Sequence, residues 1–90
     1  MPVVKFTYAL KRFYPGLKEV NIKASTVADI VKKLDDIYPR MSSYIIDEQG
    51  ALRKHVNIFI GNSIIEDKIS LADKVSEHDE VYIMQALSGG

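Results

Sequence analysis

Ser25-Thr26-Val27-Ala28-Asp29-Ile30-Val31-Lys32-Lys33-Leu34-Asp35-Asp36-Ile37-Tyr38-Pro39 is the stretch on which the architecture turns. Ser25 or Thr26 is placed to cap a helix, because a short hydroxyl side chain accepts one of the backbone N–H groups that a first turn leaves free. Asp29 falls in that first turn, where a carboxylate meets the positive end of the helix dipole. Val27, Ile30, Val31, Leu34, Ile37 and Tyr38 follow at helical spacing and predict one apolar stripe. Asp29, Lys32, Lys33, Asp35 and Asp36 fall mostly on the other side. Pro39 cannot continue the helix, so it ends at about Tyr38. An amphipathic helix needs an apolar surface to lie on, and the flanking sequence must supply it.

Upstream, Val3 to Leu10 alternates in period two, with Val4, Phe6, Tyr8 and Leu10 on one side, and reads as a first strand. Pro15-Gly16 signals a turn. Leu17 to Ala24 alternates again through Val20, Ile22 and Ala24, so the two runs suggest an antiparallel hairpin. Downstream, Met41 to Ile46 is apolar but irregular, and Asp47-Glu48-Gln49-Gly50 reads as a turn. Leu52 to Ile60 is a third extended run, closed by the hairpin signal Gly61-Asn62-Ser63. Ile64-Ile65 fits a short return strand. Glu66 to Ser76 fits a turn or short helix around Leu71-Ala72-Asp73. Glu77 to Glu80 is a polar turn, and Val81 to Leu87 is a last strand. The expected class is α+β: a mixed sheet of four or five strands with one main helix on one face. The last strand is expected centrally, beside the first.

The chain has 90 residues, of which 47% are apolar. That suits one small domain with an economical core and is too apolar for a disordered chain. Twelve basic residues balance twelve acidic ones, which argues against nucleic acid as the main partner, since phosphate binding needs clustered cations. There are no cysteines, so disulfides, thiolate nucleophiles and thiolate metal sites are excluded. That fits a reducing cytoplasm, the expected location. Met1 to Phe6 lacks the pattern of a signal peptide, and no apolar run approaches a membrane span.

The last strand runs into Ser88-Gly89-Gly90. Two glycines cost ordering entropy and add no packing, and on their own they read as a frayed terminus. Together with the preceding elements they resemble the ubiquitin-like β-grasp sulfur carriers of the MoaD/ThiS group and the small archaeal-type modifiers. Val3 to Leu10 looks like the group's first strand, Ser25 to Leu34 like its capped helix, and Tyr38-Pro39 like its helix exit. Leu52 to Ile60 looks like the branch containing carriers for cysteine synthesis and archaeal modifiers. Asp79-Glu80-Val81 looks like the acidic turn before the last strand, and Gly89-Gly90 like the reactive end. One departure is that Met84-Gln85-Ala86-Leu87-Ser88 holds none of the prolines that many members place before Gly-Gly.

The resemblance implies a single β-grasp domain over 1–87 and a flexible tail over 88–90. It implies a carrier or co-substrate, not an enzyme acting alone. An ATP-dependent, E1-like adenylating enzyme would activate the Gly90 carboxylate. A sulfur donor would convert it to a thiocarboxylate, and an acceptor enzyme or a synthase large subunit would receive the sulfur. ATP would belong to the activating enzyme, and the chain itself would bind no cofactor and no metal. A MoaD-like form would make the chain the small subunit of molybdopterin synthase. The alternative is a modifier conjugated to target lysines through Gly90, and a third reading is a β-grasp binding module without terminal chemistry.

A carboxylate repels nucleophiles, which is why such a path needs ATP. Gly89 and Gly90, lacking side chains, suit a narrow channel. Ser88 and Leu87 would contact the partner beside them. If Val56, Ile58 and Ile60 face the helix, Phe59 faces away. If Val81 and Ile83 face inward, Tyr82 and Met84 face outward. Phe59, Tyr82 and Met84 would then form an apolar patch near the tail, which suits a partner, although a small second core would use the same residues. His55 and His78 lack a metal-site pattern, and Arg53-Lys54-His55 reads as a solvated strand end. Asp35-Asp36 and Asp79-Glu80 read as helix-face and turn residues, not as catalytic carboxylates.

Overall fold

The structure, a computed structural model, describes residues 1–85. Strand β1 (Val3–Phe6) leads into a one-turn helix α1 (Tyr8–Lys11), and β2 (Val20–Asn21) returns antiparallel to β1. Helix α2 (Val27–Ile37) and a single turn α3 (Ser42–Ile45) follow, then β3 (Val56–Ile60), β4 (Ser63–Ile64) and β5 (Glu80–Gln85). The five strands form one sheet in the order β2-β1-β5-β3-β4. β5 is central, parallel to β1 and antiparallel to β3. This is the mixed sheet with one main helix expected from the sequence.

Helix α2 begins as its sequence dictates. Thr26 is extended and its Oγ1 accepts the N–H of Asp29 at 3.2 Å. Tyr38 leaves helical geometry, its N–H bonded to the Leu34 carbonyl, and Arg40 beyond Pro39 takes a positive φ of 68°. Val27, Ile30, Val31 and Leu34 are buried against Val4 and Phe6 of β1, Val56 and Ile58 of β3, and Val81 and Ile83 of β5. Burial of each such side chain contributes about 1.5–3 kcal/mol. Ile37, expected in the stripe, is 46% exposed. The helix ends there, and Tyr38, the next residue, packs edge-on to Phe6.

The first strand is shorter than its alternation implies. Ala9 and Leu10 are both buried although adjacent, which a strand on a one-sided sheet does not permit. After Phe6 the chain turns, with the Leu10 N–H on the Thr7 carbonyl and the Phe13 N–H on that of Leu10. The second extended run is likewise paired only at Val20–Asn21. Met41 to Ile46, irregular in sequence, contains α3, with Met41 and Ile45 fully buried. Its first turn is capped by Asp35 of α2, which accepts from the Ser42 N–H at 2.7 Å and its hydroxyl at 2.6 Å.

Gly61 and Asn62 form a two-residue hairpin between Ile60 and Ser63, with φ 60° at Gly61. No helix forms over 66–76. Asp67 instead gathers the N–H groups of Ile69, Ser70 and Ala72, and Asp73 those of Glu66 and Asp67. Among the described residues no helix is long and apolar enough to cross a membrane.

Candidate functional site

The site is built where β5 ends. Through Ile83 and Met84 the strand is bonded between β1 and β3. At Gln85 both neighbours stop. On one side β3 begins at Val56, which pairs with Gln85. On the other, β1 has already given way to α1. Thr7 makes the closing contacts: its N–H donates to the Ile83 carbonyl at 3.2 Å, and its Oγ1 accepts the Gln85 N–H at 3.2 Å. A side-chain oxygen thus replaces the backbone acceptor that a continuing β1 would have provided. The sheet holds the chain up to Gln85, the last described residue. Leu87, Ser88, Gly89 and Gly90, singled out in the sequence, lie outside the described residues.

The outward face of the same strands carries the apolar patch. Val81 and Ile83 are buried, whereas Tyr82 is 37% and Met84 41% exposed. Phe59 pairs directly with Tyr82, and Asn57 with Met84. Phe59, Tyr82 and Met84 line one shallow concavity with Gly61 and Asn62. A second concavity, lined by Phe59, Met84, Thr7, His55, Asn57 and Gln85, continues it to the end of β5. The three aromatic and thioether side chains are therefore brought together on the face away from α2.

Lys5 borders the patch. Its ammonium lies 3.3 Å from Glu80 and 5.5 Å from the Tyr82 ring centroid. The bond to Glu80 raises the Lys5 pKa against a smaller opposing effect of burial, so the ammonium stays charged near neutrality. Gln85 Oε1 is buried with no hydrogen-bond partner among the described residues.

The remaining titratable candidates have structural work. Asp35 caps α3, and Asp79 accepts the Ser76 N–H in the turn before β5. His55 and His78 are exposed. Among the described residues no three His, Cys, Asp or Glu side chains are grouped to hold a metal ion. Sequence reasoning passed over Thr7. The sequence pattern carries no signal for it, because the alternation runs on through Tyr8 and Leu10; only the burial of both Ala9 and Leu10 shows that the strand stops before Thr7.

The ThiS family model matches residues 4–90. The chain belongs to the ThiS family. Sulfur carrier protein CysO of Mycobacterium tuberculosis is 27% identical to this ThiS-family chain over 77 residues, which cover 83% of each protein. The Amycolatopsis orientalis BexX/CysO complex contains a chain of the same fold, with a TM-score of 0.84, 20% identity and full coverage of both chains. SAMP1 from Haloferax volcanii gives a TM-score of 0.80 at 22% identity, covering 99% of this chain and 98% of the other. The ThiS-family chain has the β-grasp fold of these proteins.

Proposed function

We propose that this ThiS-family chain is a sulfur carrier whose working group is the carboxylate of Gly90. The observation that carries the reading is the firm hold on the central strand at Gln85, whose N–H donates to Thr7 Oγ1 and which pairs with Val56. A body over 1–87 then presents Ser88-Gly89-Gly90 from its central strand. The five residues after Gln85 reach at most about 18 Å, enough to enter a partner's cleft while the body stays outside.

The chemistry follows from the carboxylate. Its oxygen attacks the α-phosphorus of ATP on an activating enzyme, and pyrophosphate leaves. Hydrosulfide then adds to the acyl carbon and AMP leaves, which gives the thiocarboxylate directly. Gly89 and Gly90 let the backbone approach the nucleotide closely. Leu87 and Ser88 line the entry, and Phe59, Tyr82 and Met84 dock against the activating enzyme. The chain supplies no cofactor, acts in the cytoplasm as a co-substrate, and passes sulfur to an acceptor enzyme. As a MoaD-like small subunit it would use the same tail; the CysO relatives, named sulfur carrier proteins, support the carrier role.

The likeness to SAMP1 supports a second reading, in which a target lysine amine takes the place of sulfur and forms an isopeptide bond. Deletion of Gly89-Gly90 tests what both readings share. The truncated chain is expected to melt like the full one and to support no ATP–pyrophosphate exchange with the activating enzyme. Equal exchange by both proteins would remove the terminal chemistry and leave a plain binding module.

A further inference from the structure

The chain is neutral overall, yet its charge is separated along β5. Glu77, Asp79 and Glu80 stand at the beginning of that strand, and its six residues carry the backbone about 17 Å to Gln85. Around Gln85 the charge is positive. His55, next to Lys54, shares a concavity with Thr7 and Gln85. Arg53 donates from Nε to the Ser43 carbonyl. Ser43 also bonds the Arg40 carbonyl. Its neighbour Tyr44 stacks on Phe13 at 4.8 Å between ring centroids, and Phe13 follows Lys11 and Arg12 directly. Contacts therefore link Lys11, Arg12, Arg40, Arg53 and Lys54 into one rim. All five are exposed, and among the described residues none pairs with a carboxylate. Asp35 accepts from Ser42, and Asp47 accepts the N–H groups of Gln49 and Ala51; these carboxylates keep their charge but form no ion pair with the five cations among the described residues.

We propose that this rim is the electrostatic half of the docking surface, and that it fits a carboxylate-rich surface around the cleft of the activating enzyme that receives the tail. The proposal rests on the carrier reading and adds the partner's chemistry to it. Unpaired like charges crowded at one end of a small neutral protein repel one another, and a partner of opposite sign relieves that repulsion. The rim meets the Phe59–Met84 concavity at Lys54, whose neighbour His55 lines it, so an apolar centre and a charged border adjoin there, the anatomy of a protein interface. A nucleic-acid backbone would satisfy the cations but would leave the exposed Tyr82 and Met84 and the half-buried Phe59 without an apolar counterpart. Rim charges act chiefly on encounter, so the effect belongs in the concentration dependence and its salt response, not in turnover at saturation.

The test is ATP–pyrophosphate exchange by the activating enzyme from the same cells, with the carrier varied at low and high salt. Lys11→Glu with Arg12→Glu, and separately Lys54→Glu, are compared with Lys32→Glu plus Lys74→Glu, which makes the same charge change as the first pair but away from the rim. All variants keep the tail, and their folding is checked by thermal melting. The rim variants are expected to raise the half-saturating carrier concentration about tenfold at low salt, to flatten its salt dependence and to leave the saturated rate unchanged. The control should stay within about twofold, the size of a rim-remote charge effect. Equal half-saturation for rim and control variants would overturn the proposal. So would unaltered exchange together with rim-dependent binding of bulk tRNA, which would assign the cations to nucleic acid. No exchange even with the unmodified chain would instead strike the carrier reading itself, and the proposal with it.

Discussion

Thr7 Oγ1 accepts the backbone N–H of Gln85 at 3.2 Å, across a sequence separation of 78 residues. The contact joins the point where β1 leaves the sheet to the last described residue of β5. It anchors the central strand three residues before the proposed Ser88-Gly89-Gly90 tail.

Thr7→Val keeps the shape and removes the acceptor. Loss of one such hydrogen bond costs about 0.5–1.5 kcal/mol. Amide exchange at Gln85 should quicken while exchange at Ile58 and Val81 follows only the change in global stability. Thr7→Ser should restore protection. Unaltered protection at Gln85 in the valine variant would show that the hydroxyl does not hold the strand end.

Phe59→Ala truncates a side chain on the outward face, opposite Tyr82. The cross-strand pair contributes about 0.2–1 kcal/mol to the fold, so melting should change little. Binding to the activating enzyme should weaken by about tenfold or more if the ring anchors the interface. Titration calorimetry with unchanged affinity would return the patch to an ordinary surface role.

Ile58→Ala acts on the opposite face of the same strand. Ile58 is fully buried beneath α2, and such truncations cost about 2–5 kcal/mol. In a domain whose whole stability is about 5–15 kcal/mol, denaturant melting should show a large loss. A loss as small as that of Phe59→Ala would contradict the face assignment.

Asp67 sets a pH dependence. Hydrogen bonds from the Ser70 and Ala72 backbone hold its carboxyl below the ordinary 3.8, against a smaller opposing effect of burial. Its folded value is depressed, so its contribution is fully present above the ordinary carboxylate range. It is lost as pH falls through the folded value. Stability measured from pH 5 downward should fall, and Asp67→Asn should flatten the acid limb and speed amide exchange at Ile69, Ser70 and Ala72. Identical acid limbs would remove Asp67 from the account.

What was legible in the sequence was whatever local chemistry dictates. Thr26, Asp29 and Pro39 mark both ends of α2, and Gly61-Asn62 marks the hairpin. The inward set Val56, Ile58, Val81 and Ile83 follows from period two, and with it the outward placement of Phe59, Tyr82 and Met84. What was not legible depends on partners distant in the chain. The switch to α1 after Phe6 hides in a sequence alternation that Tyr8 and Leu10 continue. Asp35 caps α3 from another helix, and the loop after Ile65 is shaped by the side chains of Asp67 and Asp73, not by a periodic pattern. The basic rim joins residues 11–12, 40 and 53–54, which only the fold assembles.

The most direct measurement is the intact mass of the protein purified from its own cells without a carboxy-terminal tag, with fragmentation to locate any change. The carrier account predicts a gain equal to oxygen replaced by sulfur, localised to Gly90. A plain carboxylate that persists after incubation with ATP, sulfide and native extract would contradict it.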